Sequence, residues 1–121
     1  MANGDRIGSP FERVRQSFKL LDAQTGASTG AWVTVPEGFV YRTFQSTSLE
    51  EGAADATIDI HVNNDENKPA DATAGDVTVQ LVLATPAAEK THSYRHVKAV
   101  KNVGTTPIAT TVIMVCEKPS R

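Results

Sequence analysis

A chain of 121 residues is close to the usual size of one domain, long enough to bury one core but hardly two. With 40% hydrophobic and 21% charged residues it is too apolar for a disordered chain, and a net charge of −2 provides no global field to attract nucleic acid. The single cysteine, Cys116, excludes an internal disulfide and a multi-cysteine metal site.

Residues 1–10 are polar and contain Gly, Ser and Pro, so they read as an extended N-terminal arm. They lack the apolar stretch of a signal peptide, and no apolar run approaches the ~20 residues that span a bilayer. Residues 11–21 fit two periods. Val14, Phe18 and Leu21 have helical spacing, whereas Val14, Phe18 and Leu20 alternate with Arg15, Ser17 and Lys19. A strand is favoured and a helix stays open. Residues 22–30 then form a small-residue loop. Residues 31–35 are a short strand carrying the only Trp, Pro36-Glu37-Gly38 is a turn, and residues 39–47 are the next strand.

After a loop at 49–52, residues 54–62 alternate cleanly. Ala54, Ala56, Ile58, Ile60 and Val62 face one way, and Asp55, Thr57, Asp59 and His61 the other, as in a half-buried antiparallel strand. Residues 63–76 form a long polar loop. Residues 77–84 are a strand with Val77, Val79, Leu81 and Leu83 inward, and residues 85–92 a loop around Pro86. Residues 94–100 are a strand with one wet face, closed by a turn at Asn102-Val103-Gly104. Residues 108–116 are a final buried strand. Seven or eight short strands with regular turn signals predict an all-β antiparallel sandwich or small barrel. The expected organisation is an arm at 1–10, a β-sandwich domain at 11–118 and a tail at 119–121.

Catalytic constellations are not found. His92 and His96, four apart on a strand, would lie ~13 Å from each other, too far to share one ion. Asp55 and Asp59 are equally distant for paired-carboxylate chemistry. Asn63 to Asn67 offer oxygens for calcium, but Lys68-Pro69 stands where the central Gly and further ligands belong, so a turn capped by Asn and Asp side chains is expected. Cys116 sits in an apolar run, where thiols are inert. No nucleophile elbow, P-loop or dinucleotide fingerprint is present. No catalytic residue, cofactor or metal is assigned, and a non-enzymatic protein is expected. Tyr94-Arg95-His96 with Lys98 and Lys101 is only a faint nucleic-acid pattern, outweighed by a solvated or interface strand. Trp32 reads as a core or interface anchor.

Charge is distributed unevenly. Residues 50–76 carry a local charge of −7 and residues 90–121 a local charge of +5. These are either two solvated faces or complementary contacts between copies.

Several segments form a recognisable succession. Thr43-Phe44-Gln45 ends one strand, and the alternating run from Ala56 to Val62 enters the turn Asn63-Asn64-Asp65. Tyr94, Val97, Lys98-Ala99-Val100 and Val103-Gly104 follow, before the Thr/Val-rich run from Ala109 to Val115. Over about two-thirds of the chain this resembles small tailed-bacteriophage virion structural proteins. The resemblance implies a jelly-roll or related sandwich acting as a capsid decoration or cement protein, or as a tail, neck or fibre component. It implies assembly in the host cytoplasm into the virion, with the major capsid protein or other virion proteins as partners. A homo-oligomer without nucleic-acid, membrane or cofactor binding is expected. Ile7, Pro10 and Phe11 of the arm region, with Trp32, Tyr94 and Arg95, are the expected interface residues. The rival of another class is a carbohydrate- or ligand-binding sandwich, which would need Phe39, Tyr41 and Tyr94 exposed.

Overall fold

The structure is a computed structural model that describes residues 13–47, 57–82, 85–102 and 109–119. The expected arm at 1–10, the loop at 49–52 and residues Ala54 to Ala56 lie outside the described residues. So do Leu83, Val103-Gly104 and residues 120–121. Within the described residues the chain forms nine strands: β1 (Arg13–Gln24), β2 (Ser28–Thr29), β3 (Val33–Thr34), β4 (Tyr41–Thr47), β5 (Ile58–Asn63), β6 (Asp76–Leu81), β7 (Ala87–Thr91), β8 (His96–Lys101) and β9 (Thr110–Pro119).

One sheet runs β1-β9-β4-β7 and the other β2-β8-β5-β6, with β3 also on β8; every pairing is antiparallel. Ser28 pairs with Lys101 and Thr29 with Val100, while Val33 pairs with Val97 and Thr34 with His96. The register therefore gains one residue on the 30–32 side, and β2 and β3 are a single strand broken by a bulge. Counted so, eight strands lie in the order 1-8-3-6 facing 2-7-4-5, which is the topology of a jelly roll. The expected antiparallel sandwich is present.

Period-two patterning builds the core. Ile58, Ile60 and Val62 of β5, Val97 and Ala99 of β8, and Val112, Met114 and Cys116 of β9 turn inward to meet Phe44 and Leu81. Each fully buried large apolar side chain contributes roughly 1.5–3 kcal/mol relative to exposure.

Bulges explain where simple alternation fails. On β1, Val112 pairs with Leu21 but Ile113 with Lys19, so Leu20 is an extra residue. That bulge places Val14, Phe18 and Leu21 opposite the inward-facing Lys118, Met114 and Val112, and both leucines are buried. The helical spacing of Val14, Phe18 and Leu21 is thus produced by a bulged strand, and β1 runs on through Gln24 into the expected loop. On β6, Ile60 pairs with Val79 but His61 with Val77. The extra residue turns Val77 to the outer face, where it is 53% exposed, contrary to its expected inward position.

Three further expectations are corrected. The supposed loop around Pro86 contains β7, an edge strand whose Ala-Ala-Glu-Lys-Thr sequence has no apolar alternation because both of its faces are largely wet. The strand expected at 31–35 is reduced to two paired residues by the bulge. The face of β8 expected to be wet is buried, for the reason given next.

Candidate functional site

Val97 and Ala99 belong to the core, so His96 and Lys98 between them point out of the sandwich. Residues 64–75 fold back over this outer face and roof it. Lys98 is 1% exposed, and its ammonium donates to the carbonyl oxygens of Asp71 at 2.8 Å and Thr73 at 2.6 Å. It also lies 4.9 Å from the centre of the Trp32 ring. Burial lowers the Lys98 pKa, against the opposing pull of Asp71. Trp32 donates its ring N–H to Thr73 O at 3.2 Å, and its backbone N–H faces Asp71 Oδ1 at 3.4 Å. His96 Nε2 donates to Asp65 O at 2.9 Å, and Nδ1 meets the Thr34 hydroxyl at 3.1 Å. Since a carbonyl only accepts, the Nε2 proton is fixed by that contact.

The roof is pinned at both ends. Asn63 Oδ1 accepts from the Asp65 N–H at 2.8 Å, closing the Asx turn expected there, and Asn64 Oδ1 accepts from the Arg95 N–H at 3.1 Å. At the far end Gly75 N–H donates to His61 Nδ1 at 3.1 Å. A Cβ on Gly75 would lie 2.5 Å from Val62 O and 2.6 Å from the Trp32 ring, so only glycine lets the roof descend this far. Burial and Lys98 both lower the His61 pKa, against Asp59.

This arrangement decides the fate of several expected site residues. Trp32 is 2% exposed and is covered by its own chain, so it offers no surface to a partner. His96 has both ring nitrogens engaged. The Asp59 carboxylate accepts from Gln80 at 2.8 Å and from Asn102 at 3.2 Å. Among the described residues no three His, Cys, Asp or Glu side chains gather as a metal site. Ile7, Pro10 and Phe11 lie outside the described residues.

Tyr94 and Arg95 are exposed, and they flank a groove of about 440 Å³ at one end of the sandwich. Its other side is the turn at Pro36-Glu37-Gly38, in which Gly38 has φ +93° and Val40 N–H donates to Gly38 O at 3.0 Å. Arg42 lines the groove from β4. It is 3% exposed, and its Nε donates to Phe39 O at 2.9 Å. Among the described residues its buried Nη1 has no partner, and neither do the two buried ring nitrogens of His92. Burial, then Arg42 and Lys90, push the His92 pKa down to about 4. Cys116, opposite Arg42 in the register, has its thiol pKa raised by burial against the pull of Arg42.

The sequence pattern singles out His92 only as a metal ligand to be rejected, and Arg42 not at all. Arg42 carried a usable signal, since it shares strand parity with Phe44 and Ser46 and so falls on the inward face. The burial of His92 carried none, because it comes from the segment just before β4, where the Val40 carbonyl accepts from its N–H, and from the Tyr94 ring 5.2 Å away.

The fold and this groove define a jelly-roll sandwich with a polar end-groove and a roofed outer face. No family model and no curated protein matches the chain. A solved structure does: the SPBc2 prophage-derived protein YomS superposes with a TM-score of 0.62 at 17% sequence identity, covering 88% of this chain and 96% of that one. The likeness is one of fold.

Proposed function

We propose that this chain is a non-enzymatic bacteriophage virion structural protein, most specifically a capsid decoration or cement protein that binds the shell through contacts between subunits. The observation that carries the reading is the fold shared with a prophage-derived protein over nearly the full length of both chains. The virion-type succession of motifs agrees with it independently of the superposition. The sheet edges suit assembly as well: among the described residues β1 is a twelve-residue strand paired only with β9, leaving its other backbone edge open to a neighbour. Many such weak contacts across a shell add as avidity. A tail, neck or fibre position is the alternative within the same class. The carbohydrate-binding rival is weakened because Phe39 is buried and Tyr41 half-buried, so that of its three candidate rings Tyr94 is the exposed one, at 37%.

The test is cryo-electron microscopy of the assembled particle together with binding of purified protein to capsids that lack it. Shell-bound copies in a regular array are expected, with capsids more resistant to heat when occupied. Density confined to the tail or neck supports the alternative, and absence from the particle with no capsid binding overturns the proposal.

A further inference from the structure

Arg42 is the feature of the groove that the fold does not explain. A buried guanidinium normally faces a carboxylate or a set of carbonyls, because leaving a charged donor unpaired is costly. Arg42 has one carbonyl, that of Phe39, and among the described residues it has no ion-pair partner. Beside it the His92 ring holds two more buried polar atoms without partners. An unsatisfied guanidinium atom on a residue that lines a groove open to solvent, with the unpartnered His92 nitrogens close enough to feel its charge, marks a site lacking its acceptor.

We propose that the groove binds a carboxylate, the Asp or Glu side chain of a partner polypeptide, with Arg42 as the floor that pairs with it. The incoming side chain lies between the Pro36-Glu37-Gly38 turn and Tyr94-Arg95. The Tyr94 ring flanks its methylenes, and the Arg95 guanidinium adds charge at the rim. Glu37 and Glu66, both exposed at the groove, penalise an ion carrying two negative charges, so a monocarboxylate fits better than phosphate. Burial and the neighbouring Arg42 keep the His92 ring neutral near pH 7, leaving one N–H to donate and one nitrogen to accept. The inference rests on groove chemistry and stands apart from the virion reading.

The experiment is NMR on the ¹⁵N-labelled full chain, following the Arg42 Nε–H resonance and the Tyr94 and Arg95 amides. The probes are acetyl-Gly-Glu-Gly-amide, its Gln counterpart, acetate and inorganic phosphate. The Glu peptide is expected to shift all three resonances saturably, at least about tenfold tighter than the Gln peptide, as a charge-assisted hydrogen bond requires. Phosphate is expected to bind more weakly than the Glu peptide. Arg42→Met should abolish the response. In case that variant misfolds, the exposed pair Glu37→Gln/Glu66→Gln should tighten the Glu peptide severalfold. Acetate binding as tightly as the peptide would overturn the polypeptide as occupant in favour of a free small carboxylate. An unmoved Arg42 resonance at saturating peptide, or equal response to Gln, would overturn the site itself and assign the unpaired Nη1 to an internal water.

Discussion

The ammonium of Lys98 stands 4.9 Å from the ring centre of Trp32 while donating to two carbonyl oxygens of the segment that covers both residues. One cation thus holds 64–75 against the sheet through Asp71 and Thr73. Lys98→Met keeps most of the aliphatic packing but strands the Asp71 carbonyl, leaves Thr73 O with the Trp32 ring N–H as its donor, and removes the cation–π contact. It is expected to cost about 2–3 kcal/mol in urea unfolding. A loss under about 0.5 kcal/mol would mean the roof is held by other contacts.

Trp32, the only Trp, reports on the same roof through its fluorescence. Gly75→Ala drives a methyl group into Val62 O and the Trp32 ring. The roof should lift, with a red-shifted emission and a stability loss of roughly 1–3 kcal/mol, the usual penalty for overpacking. Gly26 serves as control: a Cβ there meets nothing within 4 Å, and Asn tolerates its positive φ of 67°, so Gly26→Asn should leave the emission unchanged.

The His92 ring links stability to pH. In the folded state it titrates at about 4, and in the unfolded chain near its ordinary 6.5. Between those values the unfolded chain takes up a proton that the folded chain refuses. Stability is therefore full above about pH 6.5 and falls as pH drops towards 4, by at most roughly 3 kcal/mol, lessened by solvent screening of the partly exposed ring. Burial lowers His61 as well, which acts in the same direction. Urea midpoints of the wild type and His92→Phe between pH 7 and 4 isolate the His92 share. The two curves should converge on raising the pH and diverge on lowering it, apart from a constant offset, and parallel curves would contradict this linkage.

Ala23 has φ 51°, a left-handed conformation imposed where β1 gains its extra residues opposite β9. Its N–H donates to the Thr111 hydroxyl at 3.1 Å, holding the bend. Ala23→Gly relieves a steric cost of about 1–2 kcal/mol and adds about 0.5–1 kcal/mol of unfolded-state entropy. The expected outcome is a small net gain, up to about 1 kcal/mol, read as a higher thermal midpoint. A loss would show that the bend tolerates the Ala Cβ without strain.

Strand character was legible wherever one face meets the core and the other meets water. Ile58, Ile60 and Val62 announce β5, and the strand expected at 39–47 contains β4. It was illegible in β7, where Ala87 to Thr91 gain their structure solely by pairing with β4. Val77 and Leu20 misled because one extra residue reverses or displaces every side chain beyond it, and nothing in their own neighbourhoods marks the shift. Of the groove, Tyr94 and Arg95 are legible in the sequence as interface residues, whereas the buried Arg42 is not.

The order of β-branched and polar residues by itself determined that the chain forms short antiparallel strands around an inner face of Val, Ile, Met and Phe. A period of two is a local property, set by the pleat. Tertiary structure alone decided which strands pair, where the bulges fall, and that residues 64–75 lie over Trp32, His96 and Lys98 and so bury a face that patterning assigns to water. These outcomes depend on partners far apart in the chain, such as β1 with β9 and Asp71 with Lys98, whose mutual fit no local pattern encodes. The same long-range packing brings Arg42 beneath Tyr94 and Arg95 and leaves its Nη1 awaiting an acceptor.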